Sequence, residues 1–154
     1  MLKRKSSPSG AKVGLRPRTD VFTPEKRSDV MSRIRGKHTK PELLVRSALF
    51  GMGYRFRLHK TDLPGRPDIY IPSLQTAVFV NGCFWHLHSR CKQARLPRSN
   101  VEFWRNKLTS NCKRDRSNYR SLRKLGKRVI VVWECEIERH GSKLPDYVGA
   151  MLNP

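Results

Sequence analysis

The chain has 154 residues, enough for one domain with a real core, so it needs no staples merely to fold. Its 33 Lys and Arg against 12 Asp and Glu give a formal net charge of +21, which points to a polyanionic partner: nucleic acid first, an anionic membrane surface second. No apolar run approaches the ~18 residues of a membrane span, and the basic N-terminus lacks the apolar core of a secretory signal. A cytoplasmic location with reduced thiols is therefore expected, and the four cysteines read as metal ligands before disulfides.

Residues 1–23 read as a disordered basic arm, with Lys3, Arg4, Lys5, Lys12, Arg16 and Arg18 among Ser, Pro and Gly. It is either a solubilising tail or an arm that tracks phosphates. Residues 24–154 then form the folded domain. Ser28 to Arg35 is expected as a short helix ended by Gly36. A second helix starts at the cap Thr39, with Pro41 in its first turn and Glu42 at the capping-box position, and stops at Gly51 and Gly53. By spacing alone Glu42 is a capping residue.

Tyr54 to Leu58 alternates apolar and basic residues, which predicts a half-buried strand. The turn Pro64-Gly65 leads to Asp68, which opens the apolar run Ile69 to Ile71. A carboxylate at the mouth of a buried strand is costly unless paired or bound to a metal, although an Asp after Pro is also an ordinary turn residue. Thr76 to Val80 reads as a central strand. Adjacent strands, one opening with a carboxylate and the next ending in a functional turn, suit a nuclease that holds Mg²⁺ against a phosphate. A long helix capped at Ser99 or Asn100 runs through Leu125, with Val101, Trp104, Leu108, Cys112, Tyr119 and Leu122 on its apolar stripe. Asp115 falls on that stripe, where it needs a partner. Arg128 to Trp133 is another buried strand with Glu134, Cys135 and Glu136 at its end, and a short helix from about Ser142 or Pro145 closes the chain. The order predicts a mixed α/β sheet with helices packed on it.

The chemistry concentrates in Val78 to Cys91, VFVNGCFWHLHSRC. Cys83, His88 and Cys91, with Cys135 from a distant strand end, make a set suited to a structural Zn²⁺. His86 can replace His88 as ligand on spacing alone. The histidine left over is either a polar loop residue or a base that takes a proton from water. Phe84 and Trp85 are adjacent in this turn, and core residue and wedge between base pairs are open readings for both. Trp104 reads more simply as core, though it lies where it can join them.

With these residues assembled, the chain resembles the very-short-patch-repair (Vsr-type) endonuclease family. The matching stretches are PGRPDIYI (64–71), FVNGCFWH (79–86), NVEFW (100–104), NCKRDR (111–116) and VVWECE (131–136). The resemblance implies a restriction-endonuclease-like α/β fold, a mixed β-sheet flanked by helices with a structural zinc site. It implies an endodeoxyribonuclease that nicks duplex DNA 5′ to the thymine of a T:G mismatch, the lesion left when 5-methylcytosine deaminates. By position it implies Asp68 and the Val80 backbone carbonyl as Mg²⁺ ligands, His86 as general base, and Glu42 near the metal. It likewise implies Cys83, His88, Cys91 and Cys135 as Zn²⁺ ligands, and Phe84, Trp85 and Trp104 as intercalating aromatics. Three departures stand out: Val80 replaces a second carboxylate, Asn81 replaces a His found in some members, and Gly82 stands where the nuclease pattern has a lysine. Asn81 still hydrogen-bonds a phosphate or water but carries no proton near pH 7. The implied partners are mismatched double-stranded DNA and, functionally, a DNA cytosine methyltransferase, for a monomeric prokaryotic protein at the nucleoid and away from membranes. The alternatives are a zinc-containing DNA nuclease without mismatch specificity and a non-catalytic zinc-bearing DNA-binding module.

Overall fold

The structure is a computed structural model, and it describes Thr23, Lys26, Asp29 and residues 36–153. The expected basic arm (residues 1–23) and the helix expected over Ser28–Arg35 lie outside the described residues, apart from Thr23 and Asp29. The elements are α1 (Lys40–Gly51), β1 (Arg57–Leu58), β2 (Ile69–Ile71), β3 (Thr76–Asn81), α2 (Val101–Lys124), β4 (Arg128–Trp133), α3 (Glu134–His140) and α4 (Leu144–Leu152). The strands form one mixed sheet in the order β1-β2-β3-β4, with β1-β2 and β2-β3 antiparallel and β3-β4 parallel.

The sheet is covered on both faces, which is why its strands read as continuous apolar runs. Successive side chains alternate between faces. Ile69, Ile71, Val78, Ile130 and Val132 meet Val45 and Leu49 of α1, Ile137 of α3 and Val148 and Leu152 of α4. Tyr70, Ala77, Phe79, Val129 and Val131 meet Tyr119 and Leu122 of α2. The parallel pair requires a crossover, and α2 supplies it. Among the described residues no helix is long and apolar enough to cross a membrane.

Four expectations need correction. The strand expected over Tyr54–Leu58 shrinks to Arg57–Leu58, because its partner β2 has only three residues, bounded by Pro67 and Pro72. Tyr54 and Phe56 pack on the core outside the ladder. Glu134, Cys135 and Glu136 open α3 instead of trailing from the strand. Val101 is exposed, so the buried stripe of α2 starts at Trp104. Asn100 does occupy the N-cap of α2, but with φ 50° and no side-chain capping bond.

Candidate active site and metal centre

The parallel register of β3 and β4 brings two chain ends together. Asn81 lies opposite Trp133, so Cys83 and Cys135 each follow their strand by two residues and meet. His88 and Cys91 join them from the turn, and one donor atom from each of the four lies within 4.8 Å of the others. His88 Nδ1 is 3.5 Å from Cys83 Sγ and 3.3 Å from Cys135 Sγ. A tetrahedral ion with metal–sulfur and metal–nitrogen bonds of ~2.3 and ~2.0 Å sets an N···S edge of about 3.5 Å, so the donor set fits zinc in both chemistry and size. The His88 ring stacks on Trp133 with centroids 4.0 Å apart, which fixes the ring plane. Burial pushes the Cys83 thiol up to about 12, a cost that a bound cation removes.

The second histidine is sent elsewhere by the backbone. Leu87, between the two, has φ 47°, so His86 and His88 leave the turn in different directions. His86 N–H donates to the Gly82 carbonyl at 3.2 Å, and its Nδ1 lies 2.5 Å from Asp115 Oδ2. The partner that Asp115 needs is therefore His86. An ionised carboxylate only accepts, so Nδ1 carries the proton and Nε2 is left as the acceptor. Helix α2 grips the same turn twice more. Asn111 Nδ2 donates to the Trp85 carbonyl and Cys112 Sγ donates to the His86 carbonyl, each at 3.2 Å.

His86 and Asp115 open into a cleft of about 650 Å³, whose walls include Glu42, Arg66, Asp68, Val80, Asn81, Trp85 and Arg114. Asp68 stands at the mouth of β2. Its Oδ2 accepts the Val80 N–H at 2.8 Å. Burial outweighs that bond and raises the Asp68 carboxyl to about 6. Asn81 is buried, and its Nδ2 donates to Tyr119 Oη at 3.0 Å. Burial raises the Tyr119 phenol to about 12, which keeps it neutral.

Glu42 forms the expected capping box with Thr39. It also does more. It is only 3% exposed, and its Oε2 accepts from the His38 backbone N–H at 3.0 Å and from Arg46 at 2.7 Å. Glu42, His59 and Asp68 bring candidate ligand atoms within 4.8 Å of one another. Arg46 faces His38 Nδ1 at 2.8 Å and His59 Nε2 at 3.1 Å. A guanidinium only donates, so both imidazole nitrogens accept and His59 keeps its proton on Nδ1. Burial, its largest influence, lowers the His59 pKa. In this arrangement Asp68 carries the open carboxylate oxygen, and Glu42 is committed to the cap and to Arg46.

Phe84, Trp85 and Trp104 form one cluster of edge-on rings, with centroids 5.2 to 6.0 Å apart, and Phe103 extends it. Trp104 is buried, Phe84 and Trp85 are half-buried, and Phe103 is 56% exposed. Lys107 Nζ sits 5.8 Å from the Trp85 and Trp104 centroids. The structure thus brings all the expected catalytic residues to one cleft and all the expected zinc ligands to one cluster. Sequence reasoning missed Arg46, His59, Arg66 and Tyr119. Only Arg46 carried a signal, the Glu-to-Arg spacing of four on a helix.

A family profile described as DNA mismatch endonuclease Vsr matches residues 19–93. The Type II nicking enzyme V.NmeAIP of Neisseria meningitidis is 50% identical over 120 residues, covering 78% of this chain and 85% of that protein. The Type II nicking enzyme V.XorIIP of Xanthomonas oryzae is 47% identical over 124 residues, 80% of this chain and 90% of that protein. The DNA mismatch endonuclease Vsr of Escherichia coli is 39% identical over 127 residues, 82% of this chain and 80% of that protein.

Proposed function

Because the chain belongs to the Vsr family of DNA mismatch endonucleases and is a strand-nicking endodeoxyribonuclease, we propose that it cuts duplex DNA on the 5′ side of the thymine in a T:G mismatch. The mismatches it serves arise by deamination of 5-methylcytosine, which links it to a DNA cytosine methyltransferase and to the nucleoid of a bacterial cytoplasm. It acts as a monomer. The observation that carries the reading is the convergence in one cleft of Asp68 with the His86–Asp115 pair, beside the aromatic cluster.

Asp68 and the Val80 carbonyl would hold Mg²⁺, which when bound supplies a Lewis acid for the scissile phosphate. Two features of the chain support that pair of ligands. Asp68 is a buried carboxylate with one oxygen not engaged by Val80. The β2–β3 register, extended by two residues, puts Val80 opposite Pro67. Proline has no N–H, so it offers the Val80 carbonyl no ladder bond. His86 takes the proton of the attacking water on Nε2, and Asp115 holds the ring in that tautomer and balances the charge that develops. Asn81, anchored by Tyr119, positions the water or the phosphate. Glu42 acts at one remove, setting the end of α1 and neutralising Arg46 beside Asp68.

Cys83, His88, Cys91 and Cys135 would hold Zn²⁺, which when bound would pin the recognition turn to the end of β4 and supply no chemistry. Phe84 and Trp85 enter the DNA at the mismatch, where unstacking costs least, and buried Trp104 backs them. The charge of +21 holds the phosphates.

The test is a pair of labelled duplexes, one with a single T:G mismatch, incubated with Mg²⁺ and either the parent protein, Asp68→Ala or His86→Ala. Nicking of the mismatched duplex by the parent alone is expected. Equal cutting of both duplexes refutes mismatch specificity, and undiminished nicking by Asp68→Ala refutes the metal assignment.

A further inference from the structure

Displacement at phosphorus spreads added negative charge over the phosphoryl oxygens, and nucleases of this plan meet it with a cation beside the carboxylate. This chain has Gly82 where such a lysine would stand. A side chain would be crowded there, since an added Cβ would lie 3.3 Å from Trp85 and 3.5 Å from the Glu134 carboxylate. The charge must be met from elsewhere. Two arginines outside the Glu42–Arg46 pair line the cleft, Arg66 and Arg114. Both are exposed, and Arg114, on α2, donates to Asn111 at 2.8 Å. Arg66 makes no side-chain hydrogen bond or ion pair with any described residue.

Arg66 is also held in place at a cost. It has φ 49° and precedes Pro67, a combination that disfavours an ordinary side-chain-bearing residue. The turn is fixed from both sides. Arg66 N–H donates to the Leu63 carbonyl at 3.1 Å, and Pro67 is fully buried. Gly65, at φ 75°, passes so close to α2 that a Cβ would sit 2.9 Å from Asn118 Cβ. One buried proline separates Arg66 from Asp68, so cation and carboxylate are carried on a single rigid segment. We propose that Arg66 replaces the absent lysine, donating to the non-bridging oxygens of the scissile phosphate. The inference rests on the reading of Asp68 and His86 as the reacting centre. In the step, the water oxygen bonds to phosphorus as His86 takes its proton. The bond from phosphorus to the leaving sugar oxygen breaks, and that oxygen takes a proton from solvent. Arg66 stays protonated throughout.

The experiment is single-turnover nicking by saturating protein with Mg²⁺, on whichever duplex the parent cuts, for Arg66→Gln, Arg66→Lys and Arg114→Gln. Binding of the same duplex is measured separately by anisotropy without divalent cation. Arg66→Gln should lose roughly 10²–10³ in rate, the cost of removing one transition-state donor, while its affinity changes by less than about tenfold, the share of a single exposed phosphate contact. Arg66→Lys should recover part of the rate, since it restores charge but not the fork, and unchanged melting temperatures exclude misfolding. A parental rate for Arg66→Gln, or a loss carried by Arg114→Gln instead, overturns the proposal. Cutting of matched duplexes by the parent overturns only the mismatch reading, and a parent that cuts no duplex overturns both.

Discussion

Replacing Asp68 by Asn should stabilise the protein while abolishing the nick. Burial raises the folded carboxyl to about 6 from the ordinary 3.8. Above pH 6 the folded protein therefore holds an ion that water would solvate better, and this favours the unfolded chain by about 3 kcal/mol. The penalty shrinks as pH falls through 6 and vanishes below about 4, where the group is protonated in both states. Asn removes it at every pH and still offers an oxygen to the Val80 N–H that Asp68 accepts. At ~3 °C per kcal/mol for a domain of this size, the melting temperature should rise by about 9 °C near pH 7.5 and by roughly half that near pH 5. Calorimetry in buffer free of added divalent cations reads the difference directly. Adding Mg²⁺ should then raise the melting temperature of the parent and leave the variant unmoved, because only the parent binds it. An Asp68→Asn protein that melts at or below the parent near pH 7.5 refutes the reasoning.

Asp115→Ala leaves His86 without its orienting carboxylate, and single-turnover nicking should fall by roughly 10²–10⁴ with DNA binding retained. A rate within a few-fold of the parent would show that the pair is structural. Cys135→Ser should drop the metal content of purified protein from about one ion per chain and lower the melting temperature, because the clamp between turn and strand is lost. Retained metal would sink the four-ligand site. Trp85→Ala should weaken binding to mismatched DNA by about 1–3 kcal/mol, the worth of one stacked base, with little effect on folding. Unchanged anisotropy titrations would remove Trp85 from the interface.

The sheet was legible because its strands are apolar on both faces, and α1 because the Thr39–Glu42 box and Pro41 mark its start. Asp68 stood out as a carboxylate at the mouth of such a strand. The four metal-ligand candidates were legible as residue types but not as a unique set, since spacing alone does not choose between His86 and His88. Their division depends on the left-handed Leu87 between them, and nothing in the local sequence announces that conformation. The pairing of Asp115 with His86 spans 29 residues and appears only once α2 packs beside the turn. Arg66 was hidden for a related reason. It looks like one basic residue among 33, and only its place at the cleft wall, on a left-handed turn, sets it apart. Glu42 shows the reverse limit: the cap was legible, while its buried bond to Arg46 makes it part of the cleft wall as well.

The central claim is that Asp68 and the His86–Asp115 pair cut one strand at one phosphate chosen by the mismatch. The most direct measurement maps the product on a denaturing gel, using a T:G duplex labelled separately on each strand, with Mg²⁺ and a matched T:A duplex alongside. A single cut in the thymine strand, on the 5′ side of the mismatched thymine, with the opposite strand and the matched duplex intact, is the predicted result. Cuts in both strands, or equal cutting of the matched duplex, would contradict it.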